Sequence, residues 1–265
     1  MKIISLNTWK CDGEYKARLA LMGAGLKNLN PDLVALQECF RSEEGNADTL
    51  QYLSSFLGME YAFLPGRSKK RFFNNAWVDS ESGLGILSRF PIQNLHSFDL
   101  PCILEDPDRK VQMARILASD GLEMLFVNTH LTHLSKAPGL RKSQTEMLSH
   151  VVRVENRPHS FALVCGDFNA RIESEEMQYF LQHTKALDMY QSGNGAEPRN
   201  SLVEAYLAGK HYGIDHIFYV PGAEFPIPVS FKNAKMVLNQ ADPDSGIYPS
   251  DHFGVYSELY LGIQA

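Results

Sequence analysis

The chain has 265 residues, of which 44% are hydrophobic and 21% are charged, and its formal net charge is −6. This composition is that of a folded protein rather than a disordered one, and the acidic balance argues against a protein that holds nucleic acid by bulk electrostatics. No apolar run approaches the roughly 20 residues needed to span a bilayer, and the N-terminus has no signal-peptide layout.

The chain shows no linker, low-complexity segment or internal repeat, so we expect a single domain over residues 1–265. The four cysteines, Cys11, Cys39, Cys102 and Cys165, lack the spacing of a zinc cluster or a disulfide framework. They are interpreted as buried free thiols, which predicts a reducing, cytoplasmic compartment. We also expect a monomer without a transmembrane segment.

The N-terminal half predicts a β-α-β opening. A first strand ends at Leu6, residues 14–29 have helical apolar spacing that Pro31 stops, and a second strand covers 32–37. A helix at 50–57 and a strand at 83–87 follow. Extended runs at 92–100, 111–118 and 124–127, separated by turn signals, predict an antiparallel section.

The C-terminal half alternates helices and strands. Residues 140–154 are predicted to be helical, and a further helix is predicted to begin at Ser174, which resembles an N-terminal cap. Strands are expected at 161–165, 214–220, 229–238 and 255–261. These elements predict an α/β fold.

Polar residues stand where the apolar strands end. In GDFNA, Asp167 and Asn169 alternate around Phe168, so in an extended backbone they would point to one side. A carboxylate there can take a proton from water or hold a metal-bound oxygen, and an amide can donate to developing negative charge. Ordinary turn chemistry is the alternative interpretation of this Asp-x-Asn pattern.

Other predicted strand ends carry the same kind of residue, in the position where open α/β architectures build their sites. They are Asn7 in LNTW, Glu38 in LQE, Asn128 and His130 in NTHL, Asp215 in IDHIF, and Asp251 and His252 in SDHFGV.

The ordered set LNTW, LQE, SGLGILSRFPI, NTHL, GDFNA, IDHIF and SDHFGV resembles the endonuclease/exonuclease/phosphatase superfamily, which includes DNase I, exonuclease III, inositol-polyphosphate 5-phosphatases and neutral sphingomyelinases. The resemblance extends from Asn7 to His252. It implies a four-layer α/β sandwich, in which two mixed, mainly antiparallel sheets pack face to face with helices outside.

The expected cofactor is Mg²⁺ or Mn²⁺. Glu38 is the best candidate ligand, because it is a hard oxygen donor at a strand end. Asn7 is placed beside it, as a further ligand or as a contact to a phosphate oxygen. The resemblance implies that Asp251 faces the metal.

The predicted catalytic residues are His130, Asp167, Asn169, Asp215 and His252. The two imidazoles could stabilise a phosphoryl group or shuttle protons, and the resemblance implies that Asp215 orients His252. In the family Asp167 is either the general base or a metal ligand, and we assign it the base role. Asn169 is expected to contact phosphate or water.

Two residues are candidates for substrate binding alone. Asn128 belongs to the NTHL signature. Arg141 and Gln144 lie on one predicted helical face and resemble an Arg-x-x-Gln feature of several relatives, in which the Arg reaches substrate phosphate. His216 is interpreted as a packing residue. Gly213 departs from the family pattern, since relatives often carry Arg there to support the acid that follows.

Segment 66–77 places Arg67, Lys69, Lys70 and Arg71 beside Phe72, Phe73 and Trp77. Such a mixture suits a nucleic-acid backbone with stacked bases, and it suits an anionic membrane face or lipid headgroup equally well. A solvated loop with two buried aromatics is the third interpretation.

These observations predict a Mg²⁺- or Mn²⁺-dependent phosphodiesterase acting on nucleic acid or on a phospholipid headgroup. The alternatives are a phosphomonoesterase for a small or inositol-type phosphate and a catalytically silent binding module of the same fold. A zinc hydrolase is disfavoured because HExxH and comparable ligand clusters are absent from the sequence.

Overall fold

The computed structural model of the protein describes residues 1–118, 121–194 and 198–262. The strands of this part of the chain are β1 (Lys2–Asn7), β2 (Leu33–Ser42), β3 (Ala47–Asp48), β4 (Glu60–Phe73), β5 (Ala76–Ser88), β6 (Ile92–Asp99), β7 (Lys110–Leu117), β8 (Glu123–His130), β9 (Phe161–Asp167), β10 (Leu187–Asp188), β11 (Asp215–Pro221), β12 (Val229–Val237) and β13 (Gly254–Leu261). The helices are α1 (Tyr15–Leu29), α2 (Thr49–Leu57), α3 (Pro138–Glu155), α4 (Glu175–Thr184), α5 (Met189–Asn194) and α6 (Val203–Leu207).

The strands form two sheets. The first has the order β12-β13-β1-β2-β5-β4, with β3 pairing β2, and the second has the order β10-β11-β9-β8-β7-β6. All neighbouring strands are antiparallel except β1 with β2 and β8 with β9. Each sheet therefore contains one parallel pair, whose strands are joined through α1 or α3 as a β-α-β unit.

Alternation along the strands builds three apolar layers. Ile3 of β1 and Phe126 of β8 lie in the core between the sheets. Ile4 and Leu6 pack with α1 and α2 on the outer face of the first sheet, and the outer face of the second sheet packs against α3 and α4. The four-layer α/β sandwich implied by the sequence is confirmed.

Most predicted elements are present with small shifts at their ends. The helices predicted at 14–29, 50–57 and 140–154 are α1, α2 and α3. The Ser174 side chain accepts a hydrogen bond from the Met177 backbone N–H and caps α4 as predicted.

Segment 66–77 is not the loop that one interpretation assumed. Residues 60–88 form the long β4–β5 hairpin, in which Phe72 lies opposite Trp77. Phe73 is buried, whereas Phe72 and Trp77 are 59% and 67% exposed. The expectation of two buried aromatics is therefore wrong, because period-2 alternation puts neighbouring residues on opposite faces of the hairpin.

The cysteine prediction is correct for three of the four thiols. Cys11, Cys39 and Cys165 are free and buried, whereas Cys102 is free and exposed. Among the helices described above, none is both long and apolar enough to cross a membrane.

Candidate active site

The candidate site lies where the carboxyl ends of the two parallel strand pairs meet. In the second sheet the register places His130 beside Asp167, and in the first sheet it places Asn7 beside Gln37. Because both pairs end at the same edge of the sandwich, residues distant in sequence converge there. Asn7 donates from Nδ2 to Oδ2 of Asp167 across the two sheets, at 3.1 Å.

Asp167 is the hub of the site and is almost fully buried. Its Oδ2 also lies 3.4 Å from Nε2 of His130 and 3.9 Å from Nε2 of His252. Its Oδ1 accepts a hydrogen bond from the backbone N–H of Asn169 at 2.9 Å. One carboxylate thus faces an amide and two imidazoles.

Asp215 and His252 form a buried pair beside this hub. Strand β11 runs antiparallel to β9 and places Asp215 opposite Asp167, and Oδ2 of Asp215 lies 2.9 Å from Nδ1 of His252. The Ser201 hydroxyl accepts hydrogen bonds from the backbone N–H groups of Ile214 and Asp215. These contacts fix the Asp215 backbone and thereby the ring that its carboxylate orients.

A break in β2 brings Glu38 to the edge of the site. The pairing of β2 with β5 shifts register between Leu36 and Cys39, and Glu38 within this irregularity has a left-handed backbone with φ of 55°. Oε2 of Glu38 lies 2.7 Å from Nζ of Lys10. Trp9, Lys10 and Asn169, which also belong to the segments around the site, have positive φ as well.

The charges of the hub are set by burial and by its acids. Burial, reinforced by the charge of Asp215, raises the pKa of Asp167 above its ordinary value. Burial disfavours the charged ring of His252, but Asp215 outweighs this and raises the His252 pKa. His252 is therefore an imidazolium at neutral pH.

His130 has the opposite character. Burial, reinforced by the charge of Arg109, lowers the pKa of His130 well below its ordinary value. The site therefore combines one neutral imidazole, one cationic imidazole and a carboxylate whose proton affinity is raised. That combination can exchange protons with water near neutral pH and can stabilise phosphoryl oxygens.

Two groups of side chains at the site could hold a metal ion. Asp167, Asp215 and His252 each offer a ligand atom within 4.8 Å of the others. However, the protonated ring of His252 faces carboxylates from both nitrogens and is itself the cation of that group. We therefore take Glu38 and Asp251, a second pair of hard oxygen donors, as the candidate ligands of a divalent ion.

The surroundings of Glu38 and Asp251 support this choice. Burial raises the pKa of Asp251, and the charge of Glu38 adds to the rise. The Glu38 carboxylate binds a cation, the ammonium of Lys10, in this structure. Asn7 lies between the two parts of the site: its Oδ1 accepts from the Trp9 backbone N–H and its Nδ2 donates to Asp167. Its role as a metal ligand stays a prediction.

The family model of the Endonuclease/Exonuclease/phosphatase family matches residues 4–252, nearly the whole chain and every strand end of the site. The chain belongs to this family. A search of curated proteins finds no significant match.

Solved structures show the same fold at low sequence identity. An endonuclease/exonuclease/phosphatase protein from Beutenbergia cavernae is 16% identical, with a TM-score of 0.78 over 99% of this chain and 72% of that one. A humanised TDP2 of D. rerio is 21% identical, with a TM-score of 0.72 over 98% of both chains. The mannosyl-6-phosphatase Bt3783 of Bacteroides thetaiotaomicron is 19% identical, with a TM-score of 0.70 over 98% of this chain and 99% of that one.

Asn128 belongs to a family signature but is placed away from any substrate. It is fully buried. Its Nδ2 donates to the carbonyls of Leu36 and Gly85, and its Oδ1 accepts from Gln37 at 2.8 Å. The prediction that Asn128 binds substrate is therefore wrong. The residue ties the two sheets together one step below His130 on the same strand face.

Asn169 is not in the extended backbone that the alternation argument assumed. With φ of 50° it turns the chain after β9, and its Nδ2 donates to the Leu131 carbonyl at 3.0 Å. The amide thus joins the turns that follow β8 and β9, and the expected contact of Asn169 with phosphate or water stays a prediction. The turn interpretation of GDFNA therefore fits Asn169, and the catalytic role of Asp167 stays a prediction.

Arg141 is occupied by protein groups. Its Nε lies 2.7 Å from Oε1 of Glu176, and its Nη1 donates to the Thr132 carbonyl. Gln144 accepts from the Thr132 N–H at 2.8 Å. The predicted contact of Arg141 with substrate phosphate is not supported, because α3 uses both residues to hold the turn that follows His130.

His216 packs as predicted, with ring centroids 5.5 Å from Phe168 and 5.3 Å from Phe218. Beside Gly213, where relatives often carry Arg, lies an Arg from elsewhere in the chain. A Cβ on Gly213 would lie 2.7 Å from the side chain of Arg199, and Arg199 bridges His216 and Asp188. The small Gly therefore makes room for this guanidinium beside β11.

Sequence reasoning missed the pair that supports His130. Arg109 donates to both carboxylate oxygens of Asp106 and also contacts the His130 carbonyl and the His133 ring. Burial opposes the charge of Asp106, but these hydrogen bonds outweigh it and lower the Asp106 pKa. The motif Asp-Pro-Asp-Arg looked like a turn, and no local pattern pointed to His130.

Arg18 is the second residue that sequence reasoning missed. It lies on the buried face of α1 with 1% exposure. Its guanidinium donates to the carbonyls of Thr8, Trp9, Lys10, Asp12 and Pro249. It thus fixes both the segment after Asn7 and the segment before Asp251. A charged residue between Tyr15 and Leu19 in an apolar helical stripe was the only available signal.

We expect Arg18→Met to destabilise the protein by roughly 2–4 kcal/mol, because several buried carbonyls lose their donor. Activity should also fall, since Lys10 and Asp251 lose their fixed positions. Thermal unfolding of Arg18→Met beside Arg153→Met, an exposed Arg on α3, checks this. Equal melting temperatures for the two variants would contradict the role assigned to Arg18.

Proposed function

We propose that the protein is a divalent-metal-dependent phosphoesterase that hydrolyses a phosphodiester by attack of water. The observation that carries this proposal is the hub at Asp167, where a buried carboxylate with raised proton affinity lies within 4 Å of two imidazoles. One of these rings, His130, is neutral, and the other, His252, is cationic. Family membership supports the same chemistry.

In the proposed mechanism Asp167 accepts the proton of the attacking water. Its raised pKa brings its proton affinity towards that of a general base working near neutral pH. Asn7 and the Asn169 backbone N–H hold the carboxylate in place. Since Asn7 comes from the other sheet, the orientation of the base depends on the docking of the two sheets.

The two imidazoles act on the phosphoryl group. His252 carries positive charge because Asp215 stabilises it, so it can compensate the charge that develops on phosphoryl oxygens. His130 is neutral and can donate a single N–H to the same group. Asp215 touches no reacting atom in this scheme and is a positioning residue.

Glu38 and Asp251 would hold the divalent ion, which when bound supplies charge neutralisation at the phosphoryl oxygens and lowers the pKa of water. Lys10 would have to leave Glu38 as the ion binds, because its ammonium lies against the carboxylate. The composition of hard oxygen donors favours Mg²⁺ or Mn²⁺ over softer ions.

We expect Glu38→Gln to raise the Mg²⁺ concentration for half-maximal activity by roughly 10-fold or more, because the ligand loses its charge while its shape is kept. Titration of Mn²⁺ binding by calorimetry gives a readout independent of turnover. Glu43→Gln, at an exposed acid of the turn after β2, is the matched control. An unchanged metal dependence in Glu38→Gln would remove this residue from the site.

The substrate class is tested with a panel in the presence of Mg²⁺ and with EDTA. The panel contains plasmid DNA, single-stranded RNA, sphingomyelin, inositol phosphates, bis(p-nitrophenyl) phosphate and p-nitrophenyl phosphate. Faster cleavage of the nitrophenyl diester supports the proposal. Cleavage of the monoester alone would make the protein a phosphomonoesterase, and no turnover of any substrate would make it a binding module of this fold.

A further inference from the structure

A cavity of about 270 Å³ opens beside the candidate active site. Glu38 and His130 line one end of it. Six cations line it, one from the turn after β1 and the others from β4 and from the segment that leads into β7: Lys10, Arg67, Lys69, Arg71, Arg109 and Lys110. With Glu38, the acids Asp106 and Asp108 are the carboxylates of the lining, so the cations outnumber the acids. A substrate bound at the site would extend into this basic cavity.

The cavity has two walls, one formed by β4 and one by the segment that leads into β7, and the cations of the two walls differ in their ion-pair partners. Arg109 is bound by Asp106, and Nζ of Lys110 lies 3.8 Å from Oδ1 of Asp99. Among the described residues no carboxylate lies within ion-pair distance of Arg67, Lys69 or Arg71. The excess positive charge of the cavity therefore belongs to the β4 wall.

Arg71 is the central group of this wall. It is only 7% exposed, and its Nη atoms donate to oxygens of Ser80, Ser82 and Arg67. Its Nε is buried without a hydrogen-bond partner. A buried guanidinium held only by neutral oxygens is costly, and an anion in the cavity would compensate its charge.

The charges of the wall act on one another. Burial lowers the pKa of Lys69, and the neighbouring charges of Arg71 and Arg67 lower it further. Lys70 is different, because alternation along β4 turns it to the opposite face, where its Nζ lies 3.9 Å from Oδ2 of Asp79. The repulsion is therefore confined to the cavity face of the hairpin.

We propose that Arg67, Lys69 and Arg71 form a second anion subsite, which binds a phosphate group of the substrate other than the one that is cleaved. This inference rests on the proposed function and narrows it to substrates with at least two phosphate groups. A phosphate suits the site better than a carboxylate, because it offers several oxygens and more than one negative charge to three convergent cations.

The test compares two chromogenic substrates that share a leaving group. Thymidine 5′-(p-nitrophenyl phosphate) has one phosphate, and its 3′-phosphorylated derivative has two. We expect the wild-type Mg²⁺-loaded enzyme to prefer the second compound in kcat/KM by roughly 10- to 100-fold, the usual value of charge-assisted hydrogen bonds. In Arg67→Ser/Lys69→Ser this ratio should fall towards one.

Lys70→Ser is the positional control, since it removes one positive charge from the adjacent residue on the other face, and its ratio should equal that of the wild type. A melting curve of each variant separates loss of the subsite from loss of the fold. Because both substituted side chains are exposed, the double variant should fold even where Arg71→Gln does not.

The outcomes separate the two proposals. If the wild type cleaves neither compound nor bis(p-nitrophenyl) phosphate, the proposed function fails. If it cleaves both compounds with a ratio that Arg67→Ser/Lys69→Ser leaves unchanged, the function stands and the subsite is overturned.

Two competitors identify the source of the second phosphate. Inhibition of the one-phosphate reaction is measured with the dinucleotide pTpT and with inositol 1,4-bisphosphate. We expect at least one of them to lose roughly 10-fold or more in potency in Arg67→Ser/Lys69→Ser but not in Lys70→Ser. Equal potency of both competitors against all three proteins would contradict the subsite.

Discussion

Asp167→Asn should lower turnover by on the order of 10² to 10⁴, the usual contribution of a positioned general base. The amide is nearly isosteric with the carboxylate and can keep the contact with the Asn169 N–H at Oδ1, so the fold should persist. Binding of substrate should remain or tighten, because one negative charge near the scissile phosphate is removed. Single-turnover kinetics and equilibrium binding measure the two effects separately.

The same substitution should stabilise the metal-free protein at pH 8. Burial, reinforced by Asp215, raises the folded-state pKa of Asp167 above 3.8, so its ionisation costs folding free energy as pH rises above that value. Removing this charge should increase the free energy of unfolding by about 2 kcal/mol, which raises the melting temperature by about 4–8 °C for a chain of this size. The gain should disappear at pH 4, where the wild-type carboxyl binds a proton.

Asp244→Asn is the control, since Asp244 is an exposed acid away from the site. It should change neither turnover nor the pH dependence of unfolding. If Asp167→Asn instead unfolded while its folded fraction kept full activity, Asp167 would be only a turn residue that ends β9.

His252→Ala should lower kcat by on the order of 10² or more, because the imidazolium that faces the phosphoryl group is lost. Asp215→Asn should have a smaller effect of the same kind, since it acts through the His252 ring. The two losses should combine less than additively in the double variant. A double-mutant cycle of kcat measures this, with His159→Ala as an exposed control.

A pH profile tests whether Asp215 acts by setting the charge of His252. Asp215 raises the His252 pKa against the opposing effect of burial, so the charge contributes at low pH and is lost as pH rises through the folded-state pKa. In Asp215→Asn that loss should occur at lower pH, and the alkaline limb of activity should move in the same direction. Additive losses with an unshifted limb would mean that the pair does not function together.

The sequence predicted the site better than it predicted the roles within it. Polar residues at strand ends pointed to Asp167 and His130, because the parallel strands β8 and β9 end at one edge. Asp215 and His252 come to the same edge from the other direction, since Asp215 begins β11, which is antiparallel to β9, and His252 precedes β13. Such a pattern does not show how far a side chain lies from the strand end, and therefore whether it is buried or reaches the cavity. Asn128 and His130 share a face of β8, yet only the residue nearer the strand end reaches the cavity.

The remaining differences arise from tertiary contacts. Arg18 and Arg109 act on backbone carbonyls and side chains of segments that no spacing rule connects to them. The sequence alone did not predict the cationic wall of β4, because only the pairing of β4 with β5 shows that Lys69 and Lys70 lie on opposite faces of the hairpin. Charge at a position can be read from sequence, but the direction in which it points depends on register.

The position of β1 has a consequence for synthesis of the protein. In the first sheet β1 lies between β2 and β13, and the Ser250 hydroxyl donates to the Asn7 carbonyl across 243 residues of sequence. Within the described residues β1 is translated before all other strands, and its partner β13 is translated after them. Asn7 and His252 can therefore meet only after nearly all of residues 1–262 have been made, so a nascent chain should acquire hydrolytic activity in one late step, and fragments that end before β13 should have none.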